Sequence, residues 1–291
     1  MEMDMDMDFT VSQDNFEFTT LKEVIIRLLQ NTGYLVDANA TGIATGFDKM
    51  DSVTQGFQAG ELSVIASKPG SGKTAFLLSL LFNIASKSGK TAGVFSPERS
   101  STKMFHRMIE CETHQSIQKI TSGAIKDREK EAIHTILYTL SKADIYVDDT
   151  AYLSKNDFYR RCEQLKNKYG VNIIFIDGLE LLSLPEFTDS YEDMEEHSHV
   201  LNDIKTVAKE LEIPIVVFSH LANTVNLGAN NTPSMANVYN FIPQIADAVY
   251  LIHRQNLSDR ADIIIAQHPN INEPQMIPLK FIESIDKFVD F

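Results

Sequence analysis

The chain has 291 residues, 43% of them hydrophobic and 23% charged, so it can bury a full core as one large domain or two small ones. A formal net charge of −14 excludes a surface broadly coated with base for nucleic acid, although a local basic channel is compatible with it. The two cysteines, Cys111 and Cys162, have no metal-ligand spacing, no apolar run reaches the roughly 18 residues that span a membrane, and no secretory leader is visible. A soluble cytoplasmic protein with reduced thiols is expected.

Residues 1–18 open with methionine alternating with acid and are expected to form a frayed acidic tail. Thr19 or Thr20 is placed to cap a helix carrying Leu21, Val24, Ile25, Leu28 and Leu29, closed by Asn31-Thr32-Gly33. The apolar face of that helix needs a partner, either its own domain or a neighbouring copy. A turn-rich connection runs to residue 40, and residues 41–291 read as the main domain.

An apolar run over 62–66 reads as a buried strand that breaks into Lys68-Pro69-Gly70-Ser71-Gly72. Lys73-Thr74 then opens a helical stripe of Leu77, Leu80, Leu81 and Ile84. Strand, glycine turn, Gly-Lys-Thr and helix make a phosphate loop. Curled backbone N–H groups and the positive helix end favour an anion there, so Pro69, Gly70, Ser71, Gly72, Lys73 and Thr74 are the candidate ATP-binding residues. Lys73 would bridge the β- and γ-phosphates and the Thr74 hydroxyl would hold Mg2+. Ser67 stands where the pattern has its first glycine.

A second strand over 91–95 ends at Ser96-Pro97-Glu98, and helical patterns fill 100–111 and 127–141. A strand over 144–147 ends in Asp148-Asp149. Ser154 with Asp157 resembles a capping box for a helix carrying Phe158, Cys162 and Leu165, with Arg160 and Arg161 expected on its exposed face. Further strands over 171–176 and 213–218 end at Asp177 and at Ser219-His220, separated by a helix that runs to about residue 211. Strands over 248–252, 263–266 and 276–282 follow without long helices between them, which predicts antiparallel pairing at one edge. Strands alternating with helices imply an α/β fold, a mostly parallel sheet covered on both faces. His197-Ser198-His199 beside Glu195 and Glu196 is read as a solvated helix start rather than a metal cluster.

These motifs together resemble the C-terminal ATPase domain of DnaB-type replicative DNA helicases, which has a RecA-like P-loop NTPase core. The matching text is Thr-Gly-Phe-Asp-Lys-Met-Asp at 45–51, the 68–74 loop, Phe95-Ser96-Pro97-Glu98, the strands ending at Asp149 and running through Asp177 to Leu182, Lys205 with 208–211, and Phe218-Ser219-His220-Leu221. The likeness covers the chain from about residue 21, without the family's separate N-terminal domain. It implies ATP and Mg2+ as cofactors, a homo-oligomeric ring with a hexamer among the sizes allowed, and single-stranded DNA as a partner. The first helix then corresponds to a linker that docks on the next subunit. Asp177, at the top of a buried strand, would hold Mg2+, although an acid there also serves as a helix cap. Glu98 would orient or deprotonate the attacking water, with a solvated turn residue as the alternative. His220 stands where the family has a glutamine that senses the γ-phosphate.

The pattern also departs from the family. Its trans-acting lysine and arginine correspond to Gln267 and Pro269, and a finger of that kind is worth about 10³ to 10⁵ in rate. Arg254 and Arg260 lie nearby in sequence as substitutes. Residues 183–200 and 222–244, the stretches matching the DNA-contacting loops, contain no lysine or arginine, which weakens the expectation of tight DNA binding. Two readings follow: an ATP-dependent helicase motor, or a nucleotide-binding regulatory or assembly protein that kept the fold and lost the coupling residues.

Overall fold

The computed structural model describes residues 19–20, 42–179, 192–222, 232–254 and 259–291. The expected acidic tail, the helix beginning at Leu21, and most of the two acidic or asparagine-rich loops lie outside the described residues. Thr19–Thr20, expected to cap that helix, forms a two-residue strand instead.

Ten strands lie in one sheet among the described residues: β1 (Thr19–Thr20), β2 (Leu62–Ser67), β3 (Ala92–Phe95), β4 (Ile145–Asp148), β5 (Ile173–Asp177), β6 (Ile215–His220), β7 (Ala248–Arg254), β8 (Arg260–Gln267), β9 (Gln275–Ile282) and β10 (Lys287–Asp290). Their order is β1-β4-β3-β5-β6-β2-β7-β8-β9-β10. Pairing is parallel from β4 to β7 and antiparallel from β7 to β10, with β1 antiparallel to β4. The predicted α/β fold with an antiparallel C-terminal edge is therefore observed. Only β1 and β10 among the described strands lack a signal in the sequence: β1 has two polar residues, and in β10 a lysine and an aspartate flank just two apolar ones.

All six residues of β2 are buried, as expected of a central parallel strand covered on both faces. Its side chains alternate between two cores. Ile65 joins a cluster with Phe76, Leu80, Met104, Phe105, Ile133 and Leu137, whereas Leu62, Val64 and Ala66 join Phe158, Cys162, Leu165, Leu201 and Ile204. The helices are α1 (Asp48–Thr54), α2 (Lys73–Leu81), α3 (Ser101–Thr113), α4 (Ile117–Ser122), α5 (Asp127–Ser141), α6 (Lys155–Tyr169), α7 (Glu192–Leu211) and α8 (Ile242–Ile245). Helices α2, α3 and α5 cover the first face; α6 and α7 cover the second.

The Thr-Gly-Phe-Asp motif acts as a clamp on α2. Asp51 accepts the N–H groups of Thr45 (2.8 Å) and Gly46 (2.9 Å), and Phe47 stacks on Phe76 with centroids 5.4 Å apart. Gly46, at φ +75°, lies so close to Asn83 that a Cβ would come within 2.6 Å of it, while the Asn83 amide donates to the Thr45 carbonyl at 3.1 Å. A π-helical turn, Phe82–Lys87, carries that asparagine at the end of α2. From the other side Phe288 of β10 meets Phe76 edge-on at 5.2 Å. The helix that begins with Lys73 is thus fixed along its length before any ligand is considered.

Candidate nucleotide site

Strands β3, β5, β6 and β2 lie side by side and parallel, so their C-terminal ends open on one edge of the sheet, where open α/β sheets hold ligands. The residues following them are Glu98, Asp177, His220 and the phosphate loop. Ser67 ends β2 in register with His220 of β6 and Ile252 of β7. Its backbone is extended, which a serine adopts without strain, so the absent glycine costs the loop nothing in conformation.

The two glycines that remain are required. Gly70 has φ +77° with nothing within 4 Å of a Cβ, and Gly72 has φ +94° with Phe288 only 3.0 Å from where a Cβ would lie. Ser71 N–H closes the turn on the Lys68 carbonyl at 3.2 Å. Phe76 N–H makes the first intrahelical bond, to the Gly72 carbonyl at 2.8 Å, and no side chain caps the helix. The amides of the first turn of α2 therefore project toward the loop's concave side, as an anion needs.

Lys73 Nζ lies 3.4 Å from His220 Nε2. Asp177 is 3% exposed, and burial raises its pKa above the ordinary carboxylate value. Lys73, Arg99 and Arg107 pull that value down, and Glu98 pushes it further up, so all four sit within electrostatic reach of the same carboxyl group. Glu98 itself is exposed, at the rim. Asp177 Oδ2 is buried with no hydrogen-bond donor among the described residues. A buried acceptor left open in this way on Asp177, with the Thr74 hydroxyl in the first turn of α2, supplies hard oxygen donors of the kind that fits Mg2+. The curled loop with its uncapped amides fits a triphosphate.

Two arginines also reach its edge: Arg99, which the sequence did not place here, and Arg254, which it offered only as a substitute trans-acting cation. Arg99, in the turn after Glu98, places Nε 3.9 Å from Asp177 Oδ2. Its position directly after a strand-end acid was the available signal. Arg254 Nη2 donates to the Gly70 carbonyl at 3.3 Å, its guanidinium lies 4.1 Å from the Phe281 ring centroid, and it pairs with Glu283. Arg254 is committed to its own phosphate loop, and Arg260 to Asp262 at 2.8 Å.

Other motif residues turn out to be structural. Asp149 accepts Ser101 N–H at 2.8 Å at the start of α3, and Asp148 pairs with Arg161. Arg161 is only 11% exposed on its side chain, which corrects the expectation of an exposed Arg160-Arg161 face; the carboxylate ending β4 draws it inward. Arg160 remains at the surface on Asp157, and Ser154 caps α6 by accepting Asp157 N–H at 3.1 Å. His197 packs toward Tyr239, ring centroids 6.4 Å apart. Gln267 donates to the carbonyls of Pro243 (3.2 Å) and Ala246 (3.0 Å). The turn carrying Pro269 is tied to α1 by Asn270, which donates to the Thr54 carbonyl at 3.2 Å.

Known proteins place this arrangement. The sequence profile of the DnaB-like helicase C terminal domain matches residues 42–290. The replicative DNA helicase DnaB of Geobacillus stearothermophilus is 29% identical over 295 residues, which cover 98% of this chain and 64% of that protein. The replicative DNA helicase DnaC of Bacillus subtilis (strain 168) is 28% identical with the same coverage. This chain thus spans about 64% of the length of these relatives. A solved structure of an isolated ATPase domain matches with a TM-score of 0.77 and 25% identity, covering 88% of this chain and 93% of that one. A structure of a DnaB-like replicative helicase and its interactions with primase matches with the same TM-score and identity, over 87% of this chain and 63% of that one. Profile, strand order and phosphate-loop geometry agree, and the chain belongs to the DnaB-like helicase C-terminal domain family.

Proposed function

We propose that this chain is the ATP-driven motor domain of a replicative-helicase-type assembly, working as a homo-oligomer on single-stranded DNA. The observation that carries the reading is the convergence of Lys73, Glu98 and Asp177 on the crevice beside the phosphate loop. Family membership implies a nucleotide and Mg2+. Residues 69–74 bind the phosphates, with the first-turn amides of α2 and Lys73 as donors. Thr74 and Asp177 hold Mg2+, which when bound neutralises charge on the phosphate oxygens. Glu98, exposed at the rim, orients the attacking water and accepts its proton. His220, linked to Lys73, donates toward the terminal phosphate and reports its presence to β6 and the loop beyond. The first 18 residues serve as a tail and residues 19–40 as the link to a neighbouring subunit.

The relatives are named as replicative helicases, which supports the motor over a nucleotide-binding assembly protein. Rate is a separate matter. Gln267 is engaged within its own chain, Pro269 carries no charge, and Arg254 and Arg260 are held in cis. Hydrolysis is therefore expected to be slow and little stimulated by single-stranded DNA. Turnover measured against protein concentration, with and without single-stranded DNA, tests this. Steep cooperative stimulation would mean that a neighbour supplies a catalytic cation after all. Absence of ATP turnover under every condition would sink the motor.

A further inference from the structure

We propose that Arg99 is a tethered counter-cation for the metal position, so that its guanidinium and a divalent cation compete for Asp177. The proposal rests on reading Asp177 as the metal-holding acid.

The backbone fixes where Arg99 starts. Its N–H closes a turn on the Ser96 carbonyl at 3.3 Å, and two residues later Ser101 N–H is pinned to Asp149 at 2.8 Å. The side chain therefore leaves from a rigid corner between β3 and α3 and runs toward the end of β5. Its Nε is buried with no acceptor among the described residues, and Asp177 Oδ2 is buried with no donor. The two atoms are 3.9 Å apart, close enough for ionic attraction and too far for a hydrogen bond.

This is an unusual way to bury a charge pair. The ion pairs with both side chains mostly buried close to hydrogen-bonding distance, as Lys287 does on Glu112 at 2.5 Å and as Arg161 does on Asp148. The Arg99–Asp177 pair keeps charge compensation without the directional bond that would lock it. With its side chain 40% exposed, Arg99 also has an outlet to solvent. The other charges acting on Asp177 among the described residues are Lys73, Glu98 and Arg107. Lys73 is fixed at the head of α2 against His220, and Arg107 is paired with Asp286. Arg99 is the cation of the three that can leave. A divalent ion arriving at Asp177 with the nucleotide meets like charge from Arg99 and must displace it. Ligand-free protein gains compensation for a buried acid, and metal affinity is lowered in return.

The test is equilibrium binding of a fluorescent non-hydrolysable ATP analogue to the full chain, titrated with Mg2+. Arg99→Met, similar in length and uncharged, is expected to lower the Mg2+ concentration at half effect by about fivefold, the scale of a partly exposed ion pair. Arg99→Lys, which keeps the charge, is expected to retain the wild-type midpoint. Mg2+ alone should also raise the melting temperature of Arg99→Met more than that of wild type. Unchanged Mg2+ midpoints in Arg99→Met, with analogue binding intact, overturn the counter-cation and leave the nucleotide site standing. Failure of wild type to bind the analogue at any Mg2+ concentration overturns the site itself, and this proposal with it.

Discussion

The two ends of the parallel sheet each set an aspartate beside a cation, half-buried at one end and fully buried at the other, and they treat it in opposite ways. At the N-terminal end Asp247 precedes β7. It accepts the Leu62 N–H at 2.7 Å, returns its own N–H to the Leu62 carbonyl at 2.9 Å, and pairs with Lys205 from α7. Both side-chain bonds converge on its Oδ2, and the result ties β2, β7 and α7 together. At the C-terminal end Asp177 has no donor on Oδ2 among the described residues, and Arg99 stops short of bonding distance. The first acid holds the fold. The second is left open, and a buried polar atom left open on a ligand-binding edge marks a site.

The largest effect expected at the open end comes from Lys73→Ala. It removes a charge-assisted donor to phosphate and is expected to weaken ATP binding roughly a hundredfold, with stability nearly unchanged. Calorimetry reads the affinity, and an unaltered value would transfer the nucleotide away from this loop. Removing charge at the two acids should then split by sign. Lys205→Ala strands Asp247 and is expected to cost about 2 kcal/mol of stability, with nucleotide affinity intact. Asp177→Asn is expected to stabilise the ligand-free protein by about 1 kcal/mol near neutral pH and to abolish the Mg2+ requirement for binding.

The sign of the Asp177 effect follows from its pKa, which burial raises above the unfolded value. In the wild type that contribution to stability is fully present below the ordinary carboxylate pKa and is lost as pH rises through the elevated one. The advantage of asparagine should therefore appear as pH climbs out of the carboxylate range and vanish in acid. Denaturant melts across pH check this. A destabilised Asp177→Asn at neutral pH would mean that the acid is as well satisfied as Asp247, and the contrast between the two ends would collapse.

What the sequence revealed follows the same division. Strands β2, β3, β5 and β6 announce themselves as apolar runs ending in polar residues, and those endings supply the candidate site residues. The glycine turn was legible because only glycine tolerates the backbone at positions 70 and 72. Arg99 was not legible as part of the site, and Arg254 was read only as a substitute for the missing trans-acting cation, because a charged residue in a turn or at an edge ordinarily faces water. Only the packed structure brings Arg99 to Asp177 and lays Arg254 across the Phe281 ring. Asp148 and Asp149 matched the family text without a visible role until α3 and α6 supplied Ser101 and Arg161 as their partners. β10 escaped because Lys287 and Asp290 leave only two apolar residues between them, yet its Phe288 closes the space behind Gly72.

The smallest expected effect tests whether the open end depends on the letter of the motif or on its mechanics. Ser67 is fully buried at the end of β2, extended, hydrogen-bonded in a parallel register on both sides, and its hydroxyl donates to the Lys68 carbonyl at 3.2 Å. Ser67→Gly restores the textual pattern but frees a strand residue that has no need of freedom. It should lower stability by about 0.5 kcal/mol through the added entropy of the unfolded chain, with no gain in nucleotide affinity. A gain of severalfold in ATP binding would instead mean that the serine side chain obstructs the loop. The phosphate end would then be strained by its own sequence, in the backbone of the loop as well as in the open atoms of Asp177 and Arg99.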